Sequence, residues 1–158
     1  MANTDVRVKY FFGIIQHIYT IFANSTKKWQ ILKKSISGLT LKSVSAMRWE
    51  SCVESVKAIR FQCSDIREAL LQVFKTDNDP KTSSEALGLA KNEFGEYEFI
   101  VAIVIWYEVL FVVNLVSKSL QTKDMLRRVH GNSFLEALEI AEGIAIEMDI
   151  GTTFHTRR

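Results

Sequence analysis

The sequence predicts an all-α fold, a single bundle of about six to seven helices, on three observations. First, its 158 residues include one proline and seven glycines, too few turn formers for a strand-rich chain. Second, apolar residues recur at three- and four-residue steps along most segments, the spacing of a buried helix face. Third, 47% hydrophobic and 24% charged residues suit one globular core rather than a disordered chain. No repeat, low-complexity tract or linker divides residues 1–158, which read as one domain.

In chain order, Tyr10, Phe11, Ile14, Ile15, Ile18 and Phe22 place an amphipathic helix over residues 8–23. Asn24-Ser25-Thr26 offers capping side chains for a second helix that turns Trp29, Ile31, Leu32 and Ile36 inward. Residues 38–46 are polar and aperiodic, hence a loop. The helical period resumes near Met47, with Cys52, Val53, Val56 and Ile59 inward, and Asp65 with Glu68 reads as a capping box after a break near Cys63-Ser64. Ile66, Leu70, Val73 and Phe74 continue the pattern to the loop Thr76-Asp77-Asn78-Asp79-Pro80. Thr82 and Glu85 form a second such box, opening a helix through Ala86, Leu89, Ala90 and Phe94 to Gly95. Ser133 and Glu136 open a last helix through Leu138, Ala141, Ile144 and Met148, ended by Gly151.

The run from Phe99 to Val116 is nearly all apolar and long enough for a membrane span. A small single-span membrane protein using residues 99–116 is therefore an alternative. Glu108 near its centre opposes it, since a mid-span acid costs about 2.5–3.5 kcal/mol even on the lenient insertion scale. A central helix surrounded by the others is the expectation, with the membrane not a partner.

Chemistry is hard to find in the sequence. His17, His130 and His155 lie far apart without neighbouring ligands at metal spacing. No phosphate-cradling loop or nucleophile elbow is present. Cys52 and Cys63 fall on apolar faces, where thiolates are disfavoured. Glu96 and Glu98 flank a helix start, where acids meet the macrodipole, and Glu136, Glu139, Glu142 and Glu147 read as a solvated face. The expectation is no catalytic residue, no metal, no cofactor, no small-molecule substrate and no enzyme.

Charge is distributed unevenly. Residues 1–60 hold ten Lys and Arg against three acids, a balance of +7, and the chain's total of +2 leaves −5 for the rest. A basic first third suits phosphate or an acidic partner. Within it, Arg48-Trp49 comes directly after the polar loop, at the expected first turn of a helix. Arginine engages phosphate bidentately and an aromatic ring stacks on an unpaired base. A tryptophan sealing the bundle end beside a surface arginine is the structural alternative. Trp29 and Trp106, inside apolar periodic runs, read as core.

Phe11-Phe12-Gly13-Ile14-Ile15-Gln16, Tyr19-Thr20-Ile21-Phe22, Thr26-Lys27-Lys28-Trp29-Gln30-Ile31-Leu32-Lys33 and Arg48-Trp49-Glu50-Ser51 come in an order that resembles hAT-superfamily transposases, most of all the zinc-finger MYM-type, transposon-derived proteins. Ser55-Val56-Lys57-Ala58-Ile59-Arg60, Asp65-Ile66-Arg67-Glu68-Ala69-Leu70, Ile105-Trp106-Tyr107 and Asn114-Leu115-Val116-Ser117-Lys118 continue the likeness over roughly residues 8–150. The resemblance implies that residues 8–46 end the first segment of a ribonuclease-H-like core and that 47–150 are its helical insertion, without a complete core. The family's catalytic acids, its Cys-x-x-His motif and a zinc finger have no counterpart here, Met47 stands where its pattern has threonine, and the join from Met125 to Ser133 is shortened. The resemblance, with these departures, implies a catalytically inactive transposase-derived chain, intracellular, in nucleus or cytoplasm. Its residual use would be binding DNA, itself or another transposase-derived chain. The alternative is a nucleic-acid-binding module built on Arg48, Trp49, Lys27, Lys28, Lys33 and Lys34.

Overall fold

The computed structural model of the chain describes residues 2–44, 49–119 and 134–152, with the backbone alone for residues 2–6, 49, 118–119 and 134–136. Seven α-helices and no strand occur among the described residues: α1 (Ala2–Ala23), α2 (Thr26–Ser35), α3 (Trp49–Phe61), α4 (Cys63–Thr76), α5 (Pro80–Gly88), α6 (Tyr97–Ser119) and α7 (Phe134–Glu147). The all-α bundle expected from the periodicity is what the chain forms.

The helix ends differ from those read in the sequence. Ser25 occupies the N-cap of α2, yet its side chain makes no capping hydrogen bond. Neither Asp65 nor Thr82 is a cap. The chain breaks at Gln62, one residue before α4, so Asp65 falls within the first turn. Asp79 caps α5, its carboxylate accepting from the backbone N–H groups of Lys81 and Thr82, with Pro80 at the first helical positions. Thr82 instead donates its hydroxyl to Asp79 over 2.5 Å. These hydrogen bonds, the Thr82 hydroxyl first, hold the Asp79 carboxyl below its ordinary pKa. At the far end α7 stops before Gly151. Asp149 takes a left-handed φ of 55°, and the N–H of Ile150 donates to Ala145 O while that of Asp149 donates to Ile146 O, a Schellman closure. Ser133, the expected start of this helix, lies outside the described residues, as does the Met125–Ser133 join.

The helical path continues past the end of α5 at Gly88. It widens into a π-helical turn over Leu89–Glu93, in which Phe94 N–H donates to Leu89 O, five residues back. Gly95 then redirects the chain into α6. A Cβ at that position would lie 1.9 Å from the carbonyl oxygen of Lys91, so no other residue fits this approach.

One core cluster runs through all the helices. α6 lies between α3 and α7, α4 between α2 and α5, and α1 against α2 and α5. Arg67 of α4 joins two of these layers by donating to Ala90 O and Met148 O. Tyr97–Ser117 is long and apolar enough to cross a membrane, with a mean hydropathy of 2.5. In this fold Ile100, Ile103, Val104 and Leu110 are buried among neighbouring helices, while Val109 and Phe111 remain exposed. Two residues assigned to apolar faces turn outward: Tyr10, 62% exposed, and Phe74. Tyr10 does so because its hydroxyl reaches Glu93, 2.9 Å away. Trp29 and Trp106 are half-buried at the core margin, against Tyr19 and against Phe11 and Phe12 respectively.

Candidate functional site

After Ile36, whose N–H closes α2 on Leu32 O, residues 37–44 run on toward α3 outside any helix, so their polar groups need partners from elsewhere. Three side chains supply them. Gln16 of α1 accepts from Val44 N–H and Ser43 Oγ. Buried Ser55 of α3 both donates to and accepts from the Lys42 backbone. Gln62 donates to Leu39 O and to Ala58 O. Gly38, with φ of 90°, makes the turn that lets the segment fold back. This pinned loop leads toward Arg48 and Trp49. Arg48 lies outside the described residues; Trp49 opens α3, and its side chain is not described.

The four lysines of α2 divide by environment. Lys28 is half-buried and paired with Asp77 at 2.6 Å, the two side chains only 14% and 16% exposed. The Lys28 hydrogen bond, above all, holds the Asp77 carboxyl below its ordinary pKa. Lys27, Lys33 and Lys34 are exposed and form no ion pair among the described residues. Lys33 and Lys34 sit in the last turn, where a cation favourably meets the helix dipole. Lys27 sits in the first turn, where the dipole opposes a cation and α2 carries no acid of its own, although Asp77 reaches Lys28 one residue on. Of the six residues read as a nucleic-acid surface, the structure thus leaves three as an exposed basic strip and commits Lys28 to the fold.

The titratable groups elsewhere are mostly accounted for. Burial pushes the Cys63 thiol up to about 12, aided by Glu147, and burial also raises Cys52. His17 is exposed, with Nε2 3.2 Å from Glu85 Oε2. Arg60 and Glu108 pair between α3 and α6 at 3.3 Å. No group of three or more His, Cys, Asp or Glu comes together to hold a metal among the described residues.

A concavity of about 700 Å³ lies between the first half of α1 and the start of α6, where the sequence predicts none. Its inner wall is Phe11, Phe99 and Trp106, and its rim carries Glu93, Glu96 and Glu98 with Arg7. The only sequence signal for it is the cluster of glutamates just before the apolar run, which the helix dipole explains without a cavity. Comparison with protein-family models, curated proteins and solved structures finds no match to this chain.

Proposed function

We propose that the chain is a non-enzymatic, transposase-derived helical module that binds nucleic acid through α2 and the Arg48–Trp49 pair. The observation that supports this most is the placement of Lys27. A lysine in an N-terminal turn costs a helix about 0.3–1 kcal/mol at low salt, and the acid near this turn, Asp77, is paired with Lys28 rather than with Lys27. With Lys33 and Lys34, Lys27 forms an exposed strip on a helix that holds four lysines and no acid. Phosphates on this strip would lie beside the loop that leads to Arg48 and Trp49, suited to a phosphate and an unpaired base. The resemblance to hAT transposases favours the same pair, and the ligand is then single-stranded or hairpin DNA in nucleus or cytoplasm.

The test is a salt titration of single-stranded and hairpin DNA binding. Replacing Lys27, Lys33 and Lys34 by Gln should weaken binding and flatten the slope of log K against log salt by about 2. Trp49→Ala should cost about 1–3 kcal/mol through lost stacking. Lys28→Gln, which breaks a pair inside the fold, should act on stability first. Undetectable affinity at low salt, or affinity indifferent to the three lysines, rules the reading out.

A further inference from the structure

We propose that the break between α3 and α4 is a built site for ordered water, which bridges Arg60 and Gln62. The site does not depend on the α2 surface. Two buried polar atoms at the break have no hydrogen-bond partner among the described residues, Nε of Arg60 and Oε1 of Gln62. Gln62 is 5% exposed and the Arg60 side chain 10%, so bulk solvent does not serve these atoms. Buried polar groups are nearly always satisfied, by protein or by ordered water. Both residues line one hollow of about 60 Å³, together with Cys63, Ser64, Asp65 and Glu147.

The bonds these side chains already make decide what each remaining atom requires. Gln62 donates through Nε2 to Leu39 O and to Ala58 O. Turning the amide over would set Oε1 against both carbonyls, so the unpartnered atom is an acceptor. Arg60 pairs with Glu108 through Nη2, and its Nε–H is a donor. A molecule between them must accept from one and donate to the other, which water does. For the second water proton, Asp65 and Glu147 offer acceptors on the same lining. Chloride or phosphate would answer Arg60 but not Gln62, and would meet those two acids. A metal ion would face the guanidinium, and no group of three His, Cys, Asp or Glu gathers to hold one among the described residues. Size agrees with water. Each molecule takes about 30 Å³ in the liquid, whereas small-molecule sites run to roughly 300–1,000 Å³. The site also serves the helix behind it. Ser64 and Asp65 stand in the first turn of α4, where N–H groups lack intrahelical partners, and the N-cap residue Gln62 supplies no side-chain cap.

Water–protein Overhauser spectroscopy on the isotope-labelled whole chain tests this. The Nε–H of Arg60 is expected to show a cross-peak to water of opposite sign in the laboratory and rotating frames, the mark of water that tumbles with the protein. The cross-peak should survive Ser64→Ala, which removes the hydroxyl on the lining and with it a relay by proton exchange. It should be lost in Gln62→Met, which keeps the length of the side chain but not the acceptor. If Gln62→Met fails to fold, the parent chain and Ser64→Ala carry the test. No cross-peak in the parent, a cross-peak with the sign of passing surface water, or its loss in Ser64→Ala would overturn the proposal. So would an undiminished cross-peak in folded Gln62→Met. A sodium chloride titration that shifts the Arg60 Nε–H resonance saturably while the cross-peak fades would overturn it too, since an anion would then hold the site.

Discussion

The guanidinium of Arg60 on α3 lies 3.3 Å from the carboxylate of Glu108 on α6, with the two side chains 10% and 21% exposed. The same guanidinium stands over the rings of Tyr107, at 4.3 Å, and Phe61, at 4.8 Å. Tyr107 in turn meets Phe61 edge-on and stacks on Phe111. The acid interrupting the most apolar run of the chain is therefore neutralised from a neighbouring helix.

Removing one partner leaves the other charge in a poorly solvated place. Arg60→Met is expected to destabilise the fold by about 2 kcal/mol, below the 3–5 typical of fully buried pairs because Glu108 retains some water. The double variant Arg60→Met/Glu108→Leu should recover most of that loss, since apolar replacement of a buried pair is often neutral. Urea denaturation of the two single variants and the double variant measures the coupling, expected at about 1–2 kcal/mol. Strictly additive losses would mean that the pair contributes nothing as a pair.

Gly95→Ala should be far more damaging than an ordinary glycine change. The added methyl would sit 1.9 Å from Lys91 O, and either the π-helical turn or the start of α6 must move. A loss of about 2–3 kcal/mol is expected in thermal or urea unfolding, in line with other strained backbone sites. Gly13→Ala, where nothing lies within 4 Å, is the control and should be neutral or stabilising within α1. A Gly95→Ala chain as stable as the parent would refute the close approach.

Cys63 gives a pH dependence. Its folded thiol is raised to about 12 from a usual value of 9.0, so the folded state holds the proton more tightly than the unfolded state does. That contribution to stability is complete below about pH 9 and is lost as pH rises from there toward about 12. Cys63→Ala should flatten this alkaline decline, at some cost in packing. Thiol alkylation at pH 8 should reach half-buried Cys52 well before Cys63. Equal labelling of both in the native chain would contradict the burial.

Much of the fold was legible. Ile14, Ile15, Ile18 and Phe22, or Ile66, Leu70 and Val73, recur at helical spacing because a helix must bury one stripe, and all of them are buried. The turn at Thr76–Pro80 was equally plain. Cap identity was not, because Asp79 and Thr82 both belong to the cap vocabulary and only the backbone geometry decides which accepts from which. Tyr10 misled for a related reason. An aromatic ring on the apolar stripe reads as core until a distant carboxylate, Glu93, claims its hydroxyl.

The basic strip on α2 was half legible. Four lysines in a short helix are visible in any reading, but Lys28 differs from Lys27 only because Asp77, far along the chain, comes within 2.6 Å. The aromatic concavity was not legible at all, since its wall joins α1 to α6.

By itself, then, the sequence determined the helical class, a number of helices near the seven found among the described residues, and most of the faces they bury, because these depend on local periodicity and the scarcity of turn formers. Tertiary structure alone decided which charges are spent inside the fold and which face solvent. It paired Glu108 with Arg60 and Asp77 with Lys28, left Lys27 outside, and set three glutamates around an aromatic wall. Those outcomes depend on distances of a few ångströms between residues far apart in the chain, to which the electrostatic terms are most sensitive.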